Sequence, residues 1–403
     1  MRIFRFSSSE DVSRIMSEIG ADPYGIKIML PKASAFLIRL KAVNNVVANI
    51  LKQEMLALGA DAAVARGSLT GSIKKTDILL IGQLAQFNAL ISKLKIQPFG
   101  LQKLAEDLDG SIKKFTQTDF VLALRKGRLD LGQRAKIMGI INLTPDSFSH
   151  DGIYQRFNRD YLDLALKKAQ ALVKDGADLI DLGGQSSRPG AKSVSIKEEL
   201  RRTEPVVKFL VKKIKVPISV DTNKPEVAKA VLDAGAQIIN DISGLRDSRM
   251  IKVVARFKAA VVIMHMLGKP VNMQKNIVYE SLIDDITGFL RNSIDAAQAG
   301  GILPEKIMVD PGLGFGKNPG QNLEIIKHLE EFKPLGKPIL IGPSRKSFIA
   351  KVLKSDSENR SSGSIAACVM AVERGANIVR VHDVKEVSQA LKITESVLKN
   401  VNS

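Results

Sequence analysis

From Lys136 to Val384 the chain repeats one arrangement of apolar and polar positions eight times: a short apolar run ending near a polar residue, then a stretch with apolar residues at helical spacing. The runs are KIMGIIN, ending on Asn142; ADLIDLGG, carrying Asp181; VPISVD, ending on Asp221; QIIND, on Asn240 and Asp241; AVVIMH, on His265; KIMVD, on Asp310; KPILIGPS, on Ser344; and ANIVRVH, on His382. Apolar runs with little polar alternation are the mark of strands buried on both faces, and their alternation with helices is the mark of parallel βαβ units. Eight such units predict an α/β chain closing into a (β/α)8 TIM barrel, with its chemistry at the C-terminal ends of the strands. The joints agree, since DGAD, DAGAQ and RGAN each put a glycine between a helix end and the next strand, where a left-handed residue is favoured.

Ahead of Lys136 this cadence is missing, and a smaller α/β N-terminal domain is expected over residues 1–130, with the barrel over 135–403. An extended start from Ile3 to Phe6 precedes a helix from Ser9. KASAFLIRL predicts a strand, AVNNVVANILKQEMLALG a helix stopped by Gly59, DAAVARG a second short strand and KTDILLIG a buried one. Further helices are expected through Leu84–Leu94 and from Leu101 to Leu108. RGSLTGSIKK has the glycines of a phosphate loop without its GK[ST] ending or a strand running straight into a helix, so a turn is expected there.

Composition changes this picture little. A chain of 403 residues exceeds a barrel of about 250, which is why two domains are needed. Apolar residues make up 45% and charged ones 25%, as in globular proteins with a large core, and no apolar run approaches the roughly 18 residues that cross a bilayer. The start MRIFRFSSSEDVSR lacks the apolar core of a secretory signal, and the single Cys368 leaves no internal disulfide, so a cytoplasmic location is expected. The net charge of +18 is spread along helix faces rather than blocked, and with no Trp and four Tyr there are few flat stacking surfaces. An anionic small substrate is expected, not nucleic acid or a membrane.

The strand ends carry the candidate chemistry. After the first strand comes NLTPDSFSHDG, from Asn142 to Gly152, a polar loop too long for a tight connection. Asn142 could lend its carbonyl oxygen to Mg2+ or cap the loop. The second loop, GGQSSRPGA, offers Ser186, Ser187 and Arg188, donors suited to phosphate oxygens. Asp221 could cap the helix that follows it or face the barrel mouth. Asp310 stands before the glycine-rich GLGFGK, where backbone can approach a ligand closely, and with Asn240 it completes a donor and acceptor set suited to an amino-bearing heterocycle. GPSRKS brings Arg345 and Lys346 to the seventh strand end and RVHD brings Arg380 and His382 to the eighth, where barrel enzymes often hold phosphate. The four histidines have no zinc-like spacing, and no role is assigned to His265 or His150.

In this order, MGIINLTPDSFS, GGQSSRPGA, SVDTNKPEVA, INDISG, DPGLGFGK, GPSRKS and RVHDV make the chain from about Lys136 onward resemble dihydropteroate synthase. The resemblance implies a transferase of folate biosynthesis that condenses 6-hydroxymethyl-7,8-dihydropterin diphosphate with 4-aminobenzoate, giving 7,8-dihydropteroate and diphosphate. It implies Asp221, Asn240, Asp310 and Lys346 on the pterin, with Arg380 stacked on its face. It places Asn142, Arg188 and His382 on the diphosphate, with Asn142 also on Mg2+, and Ser187, Arg188, Pro189, Phe315, Lys346 and Ser347 around the aminobenzoate. Catalytic roles would fall to Asn142, Arg188, Lys346 and His382, and a homodimer is implied. No side-chain nucleophile is required.

Two departures stand out: Gln185 where the family commonly has Glu, and Ser187 where it has Thr. The first loop also runs Ser149, His150, Asp151, Gly152 where S-D-G-G is usual, which leaves the register of its Asp open. The N-terminal domain lies outside these motifs and is expected to be a non-catalytic extension. The competing readings are a methyltetrahydrofolate-type pterin-binding methyltransferase, which would need neither SSRPGA nor SRKS, and a catalytically silent pterin-binding paralogue.

Overall fold

The computed structural model describes residues 1, 3, 9–144, 159–186, 190, 193–268, 271–274, 277–354 and 360–398. Two compact units, Met1–Lys113 and Lys114–Ser403, divide the chain. The division falls ahead of the 130–135 boundary expected from the strand cadence, because a hairpin between residues 121 and 130 belongs to the barrel.

The first unit runs α1 (Ser9–Glu18), α2 (Pro23–Ala33), β1 (Ala35–Asn44), α3 (Asn45–Ala57), β2 (Asp61–Val64), α4 (Arg66–Thr70), β3 (Lys75–Gln83), α5 (Leu84–Leu94) and α6 (Leu101–Thr116). Its sheet is antiparallel in the order β1-β3-β2. Along β3, Ile78 and Leu80 turn inward while Asp77 and Ile81 turn out, the period of two that a half-buried strand requires. The inward side chains pack with Leu51 and Met55 of α3, Phe87, Leu90 and Leu94 of α5, and Leu101 and Leu108 of α6. The elements expected here are present, with α6 running a turn or two beyond its expected end. The motif RGSLT forms a one-turn helix ended by Gly71 at φ 71° where a simple turn was expected. The helix α2 was not anticipated. Its apolar residues give little periodicity, and its start depends on Asp22, whose carboxylate accepts from the backbone of Tyr24 and Gly25 ahead of a proline at the first turn. The expected extended start from Ile3 to Phe6 falls mostly outside the described residues.

In the second unit a hairpin of β4 (Val121–Ala123) and β5 (Arg128–Asp130) precedes the barrel strands β6 (Lys136–Asn142), β7 (Leu179–Gly183), β8 (Ile218–Asp221), β9 (Ile238–Asp241), β10 (Ala260–Met264), β11 (Ile307–Asp310), β12 (Leu340–Ile341) and β13 (Ile378–Val381). The helices between them are α7 (Arg159–Asp175), α8 (Ile196–Leu210), α9 (Pro225–Asp233), α10 (Ser248–Phe257), α11 (Leu282–Ala299), α12 (Pro319–Lys327), α13 (Ser347–Leu353) and α14 (Ser361–Glu373), and α15 (Val384–Leu398) follows the last strand. All eight barrel strands pair in parallel in the order β11-β10-β9-β8-β7-β6-β13-β12, and a parallel bridge between Val309 and Ile339 closes the ring. The strands β7 to β12 are buried at every position, which explains why their sequences do not alternate.

Leu122, Leu124 and Leu131 of the hairpin region pack against Met138, Leu179, Ile238, Val262, Met308 and Ile378, which sit early in their strands. The hairpin therefore plugs the N-terminal mouth of the barrel. Lys306 donates to the carbonyls of Ala123 and Leu124, and Arg125 donates to those of Leu232 and Ala236, so the plug is hydrogen-bonded as well as packed. Among the described residues, no helix is long and apolar enough to cross a membrane.

Candidate active site

The opposite mouth collects the polar strand ends. A narrow cleft is lined by Asp221, Asn240, Asp310, Phe315, Lys346 and Arg380, with Ile242, Met264, Leu313 and Gly342 as the rest of its wall. All five residues expected on the pterin thus converge on one cavity, joined by Phe315 from the aminobenzoate set. Strand order explains this, because residues far apart in sequence end neighbouring strands and side chains at those ends face the axis.

Electrostatics hold the cleft in shape. Arg380 donates through Nε to Asp181 at 2.6 Å and through a terminal nitrogen to Asp221 at 3.0 Å, so one guanidinium bridges two buried carboxylates. Asn240 donates to the same Asp181 at 3.3 Å. Neither Asp181 Oδ1 nor Asn240 Oδ1 has a hydrogen-bond partner although both atoms are buried. Orphaned buried acceptors cost about 1–3 kcal/mol each and are uncommon in folded proteins, so the mouth stores unmet demand for donors. Burial pushes the Asp221 carboxyl up, opposed by Arg380. It pushes Asp310 up to about 6, against a hydrogen bond from the Gly312 amide at 2.6 Å and the field of Lys346.

Lys346 completes the cleft. Its ammonium lies 4.1 Å from the centroid of the Phe315 ring, and burial together with Arg380 lowers its pKa to about 8. The preceding Arg345 adopts a left-handed backbone, φ 56°, at a cost of order 1–3 kcal/mol for a residue that is not glycine. Three bonds hold it there: its amide donates to Ser364 at 3.0 Å, its carbonyl accepts from Arg360 at 3.2 Å, and its guanidinium grips Asp383. The next residue, Lys346, lines the cleft. Ser347 follows as the first residue of α13, exposed and outside the cleft wall.

Asn142 and His382 form a second corner. The Asn142 amide nitrogen stands 3.4 Å from His382 Nε2, and Ser344 Oγ lies 3.1 Å from His382 Nδ1. Burial, then the cations Arg380 and Arg345, lower the His382 pKa to about 3, so its ring is neutral. The expected contacts Ser187, Arg188 and Pro189, and also His150, lie outside the described residues. The two stems of the second loop are described. Gln185 Oε1 accepts from Lys224 at 2.7 Å and from the Val194 amide at 3.2 Å, while Lys224 also donates to the Val194 carbonyl at 2.8 Å and to buried Glu199 at 2.5 Å.

Asp181 was noted as the polar residue of its strand but was given no role, and two further residues were missed. Lys224 and Glu199 had no signal, because they are helix-associated charges that look like surface residues until the barrel brings them 25 positions together.

A family model described as pterin binding enzyme matches residues 138–382. The dihydropteroate synthase of Synechocystis is 45% identical over 270 residues, 66% of this chain and 92% of that protein. A probable bifunctional folylpolyglutamate synthase/dihydropteroate synthase of Halobacterium salinarum is 37% identical over 391 residues, 96% of this chain and 46% of its own length, so that match extends through the N-terminal unit. Among solved structures, Yersinia pestis dihydropteroate synthase in complex with a sulfonamide drug superposes with a TM-score of 0.65 and 42% identity, covering 70% of this chain and all of that one. With the cleft built from the same strand ends that carry the family's motifs, the chain belongs to the pterin-binding enzyme family and stands there among the dihydropteroate synthases.

Proposed function

We propose that the cleft condenses 6-hydroxymethyl-7,8-dihydropterin diphosphate with 4-aminobenzoate to give 7,8-dihydropteroate and diphosphate. The observation that carries this reading is the convergence of Asp221, Asn240, Asp310, Lys346 and Arg380 on one buried mouth with unpaired acceptors left in it. A pterin edge is rich in N–H donors, and Asp310, Asp221 and Asn240 Oδ1 would accept from it. Lys346, above Phe315, would meet both the pterin and the arylamine side of the reaction.

In the step itself the arylamine lone pair forms a C–N bond to the exocyclic methylene carbon as the C–O bond to diphosphate breaks. The proton lost from the amine passes to solvent, and diphosphate leaves with the bonding electrons. Charge on the leaving group would be met by Arg188, with His382 lining the Asn142 corner, its neutral ring oriented by Ser344 at Nδ1 and by the Asn142 amide at Nε2. Among the described residues no group of three His, Cys, Asp or Glu could hold a metal alone. Mg2+ fits this corner as a partner of phosphate oxygens and water, with Asn142 supplying one protein oxygen, since its amide nitrogen is turned to His382. When bound, the ion would neutralise the departing diphosphate. A homodimer and a cytoplasmic location belong to the same proposal; exposed Ile393 and Val397 on α15 are apolar positions an assembly would cover.

The test is turnover. Purified protein given the pterin diphosphate, Mg2+ and 4-aminobenzoate should form dihydropteroate and release diphosphate. Pterin binding without product would sink the reading in favour of a silent paralogue, and methyl transfer from methyltetrahydrofolate would favour the methyltransferase. Arg188→Ala should weaken diphosphate affinity through loss of a two-bond grip; unchanged affinity would remove Arg188 from the site. Light scattering during size-exclusion chromatography decides the dimer.

A further inference from the structure

His265 directly follows β10 yet does not line the cleft, and Lys317 is 3% exposed with no carboxylate bonded to it among the described residues. The two meet inside the protein. Lys317 Nζ lies 3.0 Å from His265 Nδ1, donates to the Phe315 carbonyl at 3.0 Å and reaches the His265 carbonyl at 3.5 Å. A lysine buried this deeply is costly unless its donors are met, and here all of its partners belong either to the exit of β10 or to the loop after Asp310.

Other bonds join the same two segments. Gln274 donates to the Gly314 carbonyl and Tyr279 to the Gly316 carbonyl, both at 2.9 Å, while the His265 amide donates to Asp310 at 2.9 Å. The glycines permit this closeness. A Cβ on Gly312 would stand 2.0 Å from the His265 carbonyl, and one on Gly316 would stand 2.5 Å from the Leu267 side chain, with both residues at positive φ. The loop between Asp310 and Lys317 is therefore laid directly on the exit of β10. It carries Asp310 and Phe315, which line the cleft, and Phe315 is the platform for Lys346.

We propose that Lys317 and His265 are positioning residues of the condensation: the His265 ring acts as a hydrogen-bond acceptor for Lys317, and the pair locks the glycine-rich loop so that Phe315 seats Lys346 over the reacting amine. This requires the His265 tautomer with its proton on Nε2, leaving Nδ1 free to accept. The T-shaped contact with Phe289, centroids 5.0 Å apart, holds the ring in that plane.

The proposal rests on the synthase reading, and two readouts keep their failures apart. The first needs neither substrate nor variant: long-range nitrogen–proton correlation on protein labelled in its histidines should show His265 neutral with the proton on Nε2 at pH 7. A proton on Nδ1 overturns the proposal, whatever the enzyme turns over. The second is kinetic. His265→Leu keeps the bulk and loses the acceptor; it should raise KM for 4-aminobenzoate at least tenfold. His265→Asn places an oxygen where Nδ1 stands and should restore KM to within threefold of wild type. Lys317→Met should match His265→Leu. If His265→Asn is as impaired as His265→Leu, ring shape rather than the acceptor matters, and if Lys317→Met binds 4-aminobenzoate normally, the loop does not need the pair; either result overturns it. Wild-type protein without turnover would count against the synthase reading alone, and the tautomer would still decide the pair.

Discussion

The same eight strands build two very different barrel ends. At the N-terminal mouth, Leu122, Leu124 and Leu131 fill the ring with apolar contacts, and the nearby cations Lys306 and Arg125 are spent on backbone carbonyls. At the C-terminal mouth, three carboxylates, an amide and two cations crowd together, with Asp181 Oδ1 and Asn240 Oδ1 left without donors. One end has its groups satisfied by the chain itself; the other keeps acceptors that no described residue bonds, open to a ligand or to water. The difference predicts that side-chain loss should cost stability at the first end and rate at the second.

The largest effect expected is at the second end. Lys346→Ala removes the ammonium proposed to face both substrates, and loss of one preorganised donor typically costs 10²–10³ in rate, so kcat/KM should fall on the order of 10³-fold when both substrates are affected. The melting temperature should barely move, since burial already lowers this lysine's pKa and it makes no ion pair among the described residues. A loss confined to one substrate would break the assignment of Lys346 to both, and a large fall in melting temperature would break the contrast between the ends. Leu122→Ala is the mirror experiment. Leu122 is fully buried in the plug, and truncating such a leucine costs about 2–5 kcal/mol. Urea unfolding should show that loss while kcat/KM of the folded variant stays within about twofold; a large rate defect would mean that the plug shapes the far mouth.

Acidity sharpens the comparison next. Asp310 must be ionised to accept from the pterin, and its pKa is raised to about 6; Lys346 must be protonated to donate, and its pKa is lowered to about 8. Activity should therefore fall as pH drops through about 7 and then about 6, where Asp221 and Asp310 gain their protons, and again as pH rises through about 8, where Lys346 loses its own. Plotted as kcat/KM, which reports the free enzyme, the limbs should approach tenfold per pH unit. A profile flat from pH 5 to 9 would remove all three residues from the proton-sensitive part of the site. Leu122→Ala should leave both limbs where they are.

The two ends were also unequally legible in the sequence. The C-terminal mouth could be read because its residues are polar positions in or just past apolar runs: Asp221, Asn240, Asp310, Lys346 and Arg380 all line one cleft. The plug could not, because VLA and RLD are short runs with no cadence, and what makes them a lid is a tertiary fit to Met138, Ile238 and Met308 that no local pattern carries. Within the mouth, the misses are of the same kind. The bonding of Arg380 to Asp181 depends on strands β7 and β13 lying on either side of β6, and the bond from Lys317 to His265 depends on close backbone approach at Gly312 and Gly316. Sequence position indicates which groups reach the mouth; it does not indicate which of them face each other there.

The smallest effect separates the two ends most finely, because it concerns a corner of the reactive mouth that is already satisfied. Gln185 Oε1 accepts from Lys224 at 2.7 Å and from the Val194 amide at 3.2 Å, and Lys224 is also paired with Glu199, which is 1% exposed. One ammonium thus ties both stems of the second loop to α8. Gln185→Glu would present an oxygen to the same donors and strengthen those bonds by adding charge. It would also put a second carboxylate on one lysine, near Asp221, whose pKa Glu199 already raises. The two consequences oppose each other: a firmer loop stem helps the substrates proposed to meet Ser187 and Arg188, while a higher Asp221 pKa moves the acid limb of the pH profile upward. The net change in kcat/KM at pH 8 should be within about threefold, and the acid limb should shift toward neutral pH by a few tenths of a unit. An unshifted limb would mean that this corner is insulated from Asp221 and behaves like the plugged end of the barrel, structural and complete, even though it lies at the mouth where the chemistry is proposed.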